Sequence, residues 1–461
     1  MKGKLIFTAF LSAILVLGVA GCGNKKADTV KTYTKEEITA PVKDKITVRF
    51  AYNAWDQSII AYTAAIEKAN SLLKNQGSGI TIEGVKIPAS DWNDYYSKIA
   101  TQIAAKKGPD IGVIAESFVP QVITKGMAID ITQFVEAGLD KSKYFDATFQ
   151  GSAYRDGKYF GLPSSNYFML MYYNKDMFAA AGLPEPSKDW NNAISFNRVR
   201  EYALAMTKGD GANKAFGFHG GPYMSFVGMY SVSNGGNNIF DSNGNCTLTS
   251  PQSLAVYKWF DDMYHVDKSL PTPTDTTLIS PADMFKAGKL AMMVDGSWTL
   301  PAVKEIEGIN IGLAAVPAGL GKAYSSMFLD DFIIWKGTQN PLASWQALAA
   351  LYSDEVWDLL TKFNFCGIPI SRKALDDNRS ALLGAKFSAE DVKCFIGGLE
   401  HTLKVPYNEF YEQVDQQANN IMDEWTLGKI KYDEYAKKVS DIVMAGKAKA
   451  EAERTAAASR N

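Results

Sequence analysis

Histidine and cysteine, which are common in transition-metal sites and nucleophilic active sites, are scarce in this sequence. Its 461 residues include only three histidines and four cysteines. No CxxC pair or cysteine–histidine spacing suggests a metal site, and neither HExxH, GxSxG nor a phosphate-binding glycine loop occurs. The acidic turn 241–245, DSNGN, lacks the spacing and distal glutamate of a calcium loop and is interpreted as a hairpin turn. The sequence therefore predicts no metal and no cofactor.

An excess of charge of either sign is also missing. The net charge is −2, and no arginine-rich stripe or RNA-binding signature occurs. Nucleic acid is therefore not an expected partner. The composition, 46% hydrophobic and 21% charged, is that of a globular protein with a large core. A chain of this length favours two lobes or domains over one.

Long apolar runs are absent after the N-terminus, where a single short run occurs. Lys2 and Lys4 precede an apolar stretch, 5–19, that is too short to span a bilayer. A charged start, a short apolar segment and small residues before Cys22 are typical of a secretory signal. These small residues resemble a bacterial lipobox, which implies cleavage after residue 21 and lipidation of Cys22. The alternative is an ordinary signal peptide with an incidental cysteine.

The segment after Cys22 is polar and predicts a flexible tether over 22–45. We therefore expect an extracytoplasmic protein held by acyl chains, either on the outer face of the cytoplasmic membrane or in the periplasm. Three cysteines remain, Cys246, Cys366 and Cys394. One disulfide is possible, although three small buried thiols are the favoured interpretation.

The first part of the body alternates strands and helices. Segment 46–52 is β-branched and alternating, and strands are also predicted at 80–87 and 110–114. Helical periodicity lies between them, so a parallel sheet with an α/β fold is expected. Ligands of such sheets bind beyond the carboxyl ends of the strands. Trp55, Asp56 and Glu116 stand at those positions.

A run of seven apolar or aromatic residues, YFMLMYY at 167–173, has no alternation. It predicts a strand buried on both faces. Residues 163–166 are interpreted as a crossing between lobes, with Tyr167 facing the ligand cleft.

Motifs in a fixed order resemble those of the extracellular solute-binding proteins of bacterial ABC importers, the group that includes maltose-binding protein. The matching segments are GPDI (108–111), GMAIDIT (126–132), GKYFGLP (157–163), YYNKDMF (172–178), AGL (181–183), AGKLAMM (287–293), GSW (296–298) and KGTQNP (336–341). This resemblance implies a two-lobed periplasmic-binding-protein fold of the α/β class, with a hinge and an interlobe ligand cleft. It also implies capture by hinge closure and docking on the membrane permease of an ABC transporter. We expect a monomer.

The predicted organisation assigns 1–21 to a lipoprotein signal peptide and 22–45 to the tether. Residues 46–166 and 296–328 form the N-terminal lobe, 167–295 and 329–445 the C-terminal lobe, and 446–461 a tail.

Position and resemblance together select candidate ligand-binding residues for a sugar, whose faces stack on aromatic rings and whose hydroxyls need forked polar partners. Several have simpler alternatives, since Asp56 could cap the following helix, Glu116 could be a solvated loop charge, and Trp298 could belong to the core. The candidates are Trp55, Asp56, Glu116, Tyr167, Tyr223, Trp298, Asp331 and Tyr411.

Two further functions use the same residue types. A glycosidase needs two carboxyl groups about 5–10 Å apart, and sequence spacing does not exclude that for Asp56 and Glu116. The same fold could also bind a peptide or a polyamine, the latter requiring several carboxylates. The favoured prediction is a non-catalytic carbohydrate-binding lipoprotein.

Overall fold

The computed structural model describes residues 31–151, 153–363, 365, 367–379 and 382–458. The strands are β1 (Ile46–Asn53), β2 (Ile80–Ile87), β3 (Ile111–Ala115), β4 (Tyr154–Arg155), β5 (Lys158–Tyr159), β6 (Gly161–Pro163), β7 (Tyr167–Asn174), β8 (Phe216–His219), β9 (Leu290–Gly296), β10 (Ile311–Ala314), β11 (Ser325–Phe328), β12 (Asp330–Ile334) and β13 (Thr402–Lys404).

The α-helices are α1 (Lys35–Thr39), α2 (Asp56–Asn75), α3 (Trp92–Ala104), α4 (Val119–Thr124), α5 (Thr132–Gly138), α6 (Asp146–Phe149), α7 (Lys175–Ala181), α8 (Phe196–Met206), α9 (Met224–Val232), α10 (Pro251–Asp261), α11 (Pro273–Leu278), α12 (Pro281–Lys286), α13 (Leu300–Lys304), α14 (Pro341–Leu351), α15 (Asp354–Lys362), α16 (Arg372–Asn378), α17 (Ala389–Gly397), α18 (Tyr411–Thr426) and α19 (Tyr432–Ala458).

The first sheet has the order β2-β1-β3-β12-β6. β1 pairs in parallel with both β2 and β3, as the alternating strand and helix pattern predicts. β12 is antiparallel to β3, so its first residue, Asp330, lies opposite Ala115 at the end of β3. Helices α14 and α15 both pack on α2, and α2 and α14 contact the strands of this sheet. This arrangement brings the ends of β1 and β3 and the start of β12 to one edge.

The second sheet has the order β13-β11-β7-β9-β8, with β10 also paired to β7. Every residue of β7 is buried, which confirms the strand predicted from the apolar run. β7 is antiparallel to β9, β10 and β11, so the sheet is mixed rather than parallel throughout. An all-apolar strand suits this central position, because helices such as α8, α9 and α10 cover the sheet.

The chain passes between the two sheets over very short segments. It leaves the first sheet after Pro163 and joins the second at Tyr167, which is the segment interpreted as a crossing. It passes back between Phe328 and Asp330, with only Leu329 separating β11 from β12. Two short crossings side by side are the geometry of a hinge between lobes.

The predicted division of the chain between the lobes needs correction at this second crossing. Residues 296–328 were assigned to the N-terminal lobe, but β10 and β11 belong to the second sheet. Residues 329–445 were assigned to the C-terminal lobe, but β12 belongs to the first sheet, and α14 and α15 pack on α2. The exchange follows from long-range strand pairing, which the local pattern of these short apolar strands does not specify.

The predicted tether and tail are both partly folded. Within 22–45, α1 buries Ile38, and the backbone amide of Tyr33 donates to Gln133 Oε1 at 2.9 Å. Within 446–461, α19 continues to Ala458 and buries Ala450 against the body. The polar composition of these two segments gave no indication of their contacts with the body of the protein. Cys22 and residues 1–21, the predicted signal peptide, lie outside the described residues.

Two smaller predictions concern cysteines and membrane spans. Cys246 and Cys394 are free thiols, and Cys366 lies outside the described residues. No helix in the described part of the chain has both the length and the apolar character needed to cross a bilayer.

Candidate functional site

A cavity of about 640 Å³ lies between the two lobes. Its volume is within the range of small-molecule binding sites. The first sheet and its loops contribute one side, and β7, α9, α13 and α18 contribute the other. Its lining residues are Asn53, Trp55, Asp56, Gln57, Ser58, Tyr62, Trp92, Val113, Ala115, Glu116, Ser117, Tyr167, Ser225, Trp298, Pro301, Phe328, Leu329, Asp330, Phe365, Tyr407, Tyr411, Glu412 and Asp415.

The first-lobe residues reach the cavity because the strands end there. Asn53 ends β1, Ala115 ends β3 and Asp330 begins the antiparallel β12. Trp55 and Glu116 follow directly, at the carboxyl edge where α/β sheets bind ligands. The prediction placed these two residues by the same rule, and both line the cavity.

Aromatic rings form much of the wall. Trp298 is 41% exposed although it is surrounded by other rings. Its ring meets Tyr167 edge-on, with centroids 5.9 Å apart, and Phe328 edge-on at 5.4 Å. These contacts hold the indole in place, while part of the side chain remains exposed at the cavity.

A second aromatic pair stands on the first lobe. Trp55 and Trp92 pack edge to face with centroids 5.2 Å apart. Trp55 Nε1 donates to the Ala89 carbonyl oxygen at 2.9 Å, which fixes the orientation of the ring. On the opposite side, Tyr407 and Tyr411 pack edge to face at 4.5 Å. The cavity thus has ordered rings on both lobes.

Carboxyl groups occupy the remaining wall. Burial raises the pKa of Glu116 well above its usual range, and the charges of Asp331 and Asp330 raise it further. Burial, followed by the charge of Asp331, raises the pKa of Asp330 to about 7. Burial also raises the pKa of Asp415 to about 6 and that of Glu412 above its usual value. These carboxyls therefore lose their protons at a higher pH than isolated carboxyls do, and Asp330, with a pKa of about 7, is only partly ionised at neutral pH.

Six of the eight predicted site residues lie together on the cavity wall: Trp55, Asp56, Glu116, Tyr167, Trp298 and Tyr411. Tyr223 and Asp331 do not line it. Tyr223 precedes α9, and its ring packs edge-on against Phe226 with centroids 5.4 Å apart. Asp331 is fully buried, whereas its neighbour Asp330 faces the cavity, because successive strand residues point to opposite faces.

Several lining residues were not predicted, notably Trp92, Asp330, Tyr407, Glu412 and Asp415. A usable signal existed for Asp415, since it follows Tyr411 by four residues on α18 and therefore shares its helix face. No local pattern distinguished Asp330 from Asp331, because only the register of β12 decides which one faces the cavity.

A polar contact between the lobes lies beside the cavity, at Glu409 just before α18. Glu409 is 4% exposed. Its Oε1 lies 3.3 Å from the guanidinium of Arg155 and accepts a hydrogen bond from Thr124 at 3.1 Å, both in the first lobe. Arg454 on α19 approaches the same oxygen at 3.7 Å. Glu409 thus joins the second lobe to the first through buried, charged contacts.

Two α/β lobes, a short double crossing and a ring-lined cavity between them define a two-lobed ligand-binding protein. Comparison with known proteins agrees. The chain belongs to the bacterial extracellular solute-binding protein family, whose sequence pattern matches residues 33–381. This membership assigns it to a family of binding proteins that work outside the cytoplasm.

Individual relatives are distant but cover most of the chain. The diacetylchitobiose binding protein DasA of Streptomyces coelicolor is 22% identical over 84% of this chain and 87% of its own. The maltodextrin-binding protein MdxE of Bacillus subtilis is 23% identical over 68% of this chain and 67% of its own.

Among solved structures, the ABC substrate-binding protein Lmo0181 of Listeria monocytogenes, in complex with cycloalternan, superposes with a TM-score of 0.75. It is 21% identical, and the match covers 86% of this chain and 98% of that one. At this identity the likeness establishes the fold, which is the two-lobed fold predicted from the sequence.

Proposed function

We propose that this protein is the substrate-binding component of an ABC importer and captures a carbohydrate between its lobes. The observation that carries the proposal is the interlobe cavity, where Trp298 leaves a ring face open beside carboxyl and amide groups. Sugar rings stack on aromatic faces, and their hydroxyls bind carboxylates and amides. The names of DasA and MdxE, both oligosaccharide binders, support the same class of ligand.

The side chains that line the cavity have different roles in binding. Trp298 and Trp55 stack on the sugar rings from opposite lobes. Glu116 and Asp56 accept hydrogen bonds from sugar hydroxyls, and Tyr411 closes the second-lobe side. Tyr223 and Asp331 act only indirectly, by supporting the residues that line the cavity.

Closure occurs at the crossings between the lobes, of which 164–166 and Leu329 are short and a further one lies between α15 and β13. Because the two short crossings are only one to three residues long, the lobes turn as rigid bodies around them. A ligand that touches both lobes stabilises the closed form, since it gains contacts there that the open form lacks. The closed form then docks on the permease subunits and releases the ligand to them.

The protein is proposed to bind its ligand without converting it. A glycosidase needs one carboxyl that donates a proton and another that attacks or activates water. Incubation with an oligosaccharide panel followed by chromatography separates the two functions. Intact ligand should be recovered, whereas steady release of shorter products would establish an enzyme.

Attachment to the membrane is proposed to occur through a lipid on Cys22, following cleavage after residue 21. Cells expressing the chain should incorporate a labelled fatty acid into it, and Cys22→Ala should abolish the label. Labelling that persists in the variant would refute the anchor.

The central experiment is a thermal-shift and calorimetric screen of the purified protein against mono- and oligosaccharides, peptides and polyamines. A ligand that binds only the folded state raises the melting temperature. At least one saccharide should do so, with a stoichiometry of one. A response to peptides or polyamines alone would overturn the proposal.

A further inference from the structure

The cavity between the lobes is lined by five carboxyl groups, on Asp56, Glu116, Asp330, Glu412 and Asp415. Among the described residues that line it there is no lysine, arginine or histidine. Three of these carboxyls come from the first lobe and two from α18 of the second, so closure brings them towards each other. The site therefore gathers carboxyl groups with no cationic side chain among the described residues of its wall.

Two buried carboxylates elsewhere in this protein, Asp391 and Glu409, have cationic partners. Asp391 is fully buried and lies 2.7 Å from the ammonium of Lys188. Glu409 faces Arg155 at 3.3 Å. The usual cost of burying a charge is thus met by a counter-charge at those positions. In the described part of the chain, the five cavity carboxyls form no such ion pair.

Glu116 is the clearest example of a cavity carboxyl without a cationic partner among the described residues. Its side chain is on the cavity wall, yet the residue is only 7% exposed. No described donor lies within hydrogen-bond distance of its Oε1. The carboxyl of Glu116 has hydrogen bonds with the Leu329 backbone and the Tyr407 hydroxyl and lies near the carboxyls of Asp331 and Asp330, none of them a cation. A buried oxygen of this kind is ready to accept a charged donor from a ligand.

A neutral sugar could satisfy single oxygens, but it would leave the repulsion among the carboxyls in place. A cation removes that repulsion and favours the ionised form of every carboxyl nearby. We propose that the carbohydrate recognised by this protein carries a protonated amine, which sits beside Glu116 and Asp330 while the sugar ring stacks on Trp298. This inference rests on the proposed carbohydrate-binding function and narrows it to amino sugars and their oligomers.

Calorimetry with sugars matched in shape but not in charge tests the inference. Each set holds a disaccharide with free amino groups, its N-acetyl form and its hydroxyl form, for example chitobiose, diacetylchitobiose and cellobiose, with galactose and mannose counterparts and spermidine alongside. The amine form of at least one set should bind about tenfold or more tightly than its neutral partners at pH 7. Added salt should reduce that advantage.

The proton balance gives a second readout. A bound ammonium lowers the pKa of the surrounding carboxyls, so binding at about pH 5, where the free amine is already protonated, should release protons to the buffer. The measured enthalpy will then depend on the ionisation enthalpy of the buffer. A neutral ligand that only displaces water from the cavity would raise the pKa values of those carboxyls, and binding would then take up protons from the buffer.

Glu116→Gln separates charge from shape, since the amide keeps the size and the hydrogen-bonding capacity. It should weaken the amine form about tenfold or more and the neutral forms far less. Glu424→Gln, on an exposed face of α18 and outside the cavity, is the matched control and should change neither affinity. A merely structural role for Glu116 would lower both affinities together and leave their ratio unchanged.

The outcomes are distinct. If neutral sugars bind as tightly as their amine partners, the inference is overturned while the proposed function stands. If spermidine binds and no saccharide does, the proposed function falls. If no member of the panel binds, both are overturned.

Discussion

Trp298 is the residue whose replacement tests the proposed site most directly. The indole lies on the turn between β9 and α13, held edge-on by Tyr167 and Phe328. We expect Trp298→Ala to weaken ligand binding and to leave the fold intact. The loss comes from the ring face that the cavity leaves open, because the ligand would no longer cover it.

The size of the effect follows from exposed area. Trp298 is 41% exposed, which for a tryptophan side chain of roughly 250 Å² corresponds to about 100 Å². A stacked sugar ring that covers about 80 Å² of it contributes ~2 kcal/mol at ~25 cal/mol/Å². The dissociation constant should therefore rise about thirtyfold. Trp298→Phe keeps a ring and should lose several times less.

The assay is isothermal titration calorimetry with a ligand found by the screen. Leu320→Ala is the control, because Leu320 is an apolar side chain 72% exposed and does not line the cavity. Both variants should melt close to the wild-type temperature. An unchanged dissociation constant in Trp298→Ala, or an equal loss in Leu320→Ala, would remove Trp298 from the site.

Three further predictions concern charged groups. The pKa of Asp330 is raised to about 7, so its ionised form destabilises the fold above that pH, and this cost fades as the pH falls towards 4. Asp330→Asn should therefore raise the unfolding free energy by about 1–2 kcal/mol at pH 8 and by less at pH 5. A difference between variant and wild type in chemical denaturation that does not change with pH would contradict this. Glu409→Gln should weaken the interlobe contact with Arg155, which should lower ligand affinity a few-fold and increase the radius of gyration measured by solution scattering. An unchanged radius of gyration and an unchanged affinity would show that Glu409 does not hold the lobes together. Asp391→Asn should lower the unfolding free energy by about 2–4 kcal/mol, because it leaves Lys188 without its carboxylate partner. Despite burial, hydrogen bonds and the Lys188 ammonium hold the pKa of Asp391 below its usual value, so the difference in stability between wild type and variant should shrink in acid. Equal unfolding free energies at pH 7 would refute a stabilising role for this ion pair.

Much of the fold could be predicted because its signals are local. The unbroken apolar run of β7 indicated a strand buried on both faces, and all of its residues are buried. Trp55 and Glu116 were placed by the general position of ligands beyond strand ends, and both line the cavity. Trp298 was selected by the GSW motif, a resemblance rather than a derivation. Each of these predictions needed only a short window of sequence.

The errors share a different cause. β11 and β12 are separated by Leu329 alone, yet they join different sheets. Asp331 was the candidate, but the pairing of β12 with β3 puts Asp330 on the cavity wall and buries Asp331. The ordered parts of the predicted tether and tail depend on contacts with distant segments, such as the burial of Ile38 and the hydrogen bond from Tyr33 to Gln133.

The sequence by itself determined the α/β class, the buried strands and the family, because periodicity and ordered motifs are properties of neighbouring residues. Only the tertiary structure decided where the lobes divide, which aspartate faces the cavity and how many carboxyls share it. Those features depend on the pairing of segments far apart in the chain, such as Glu116 with Asp330 and α18. The cluster of carboxyls without a cationic side chain among the described lining residues, on which the proposal of an amine-bearing sugar rests, exists only once these segments have been brought together.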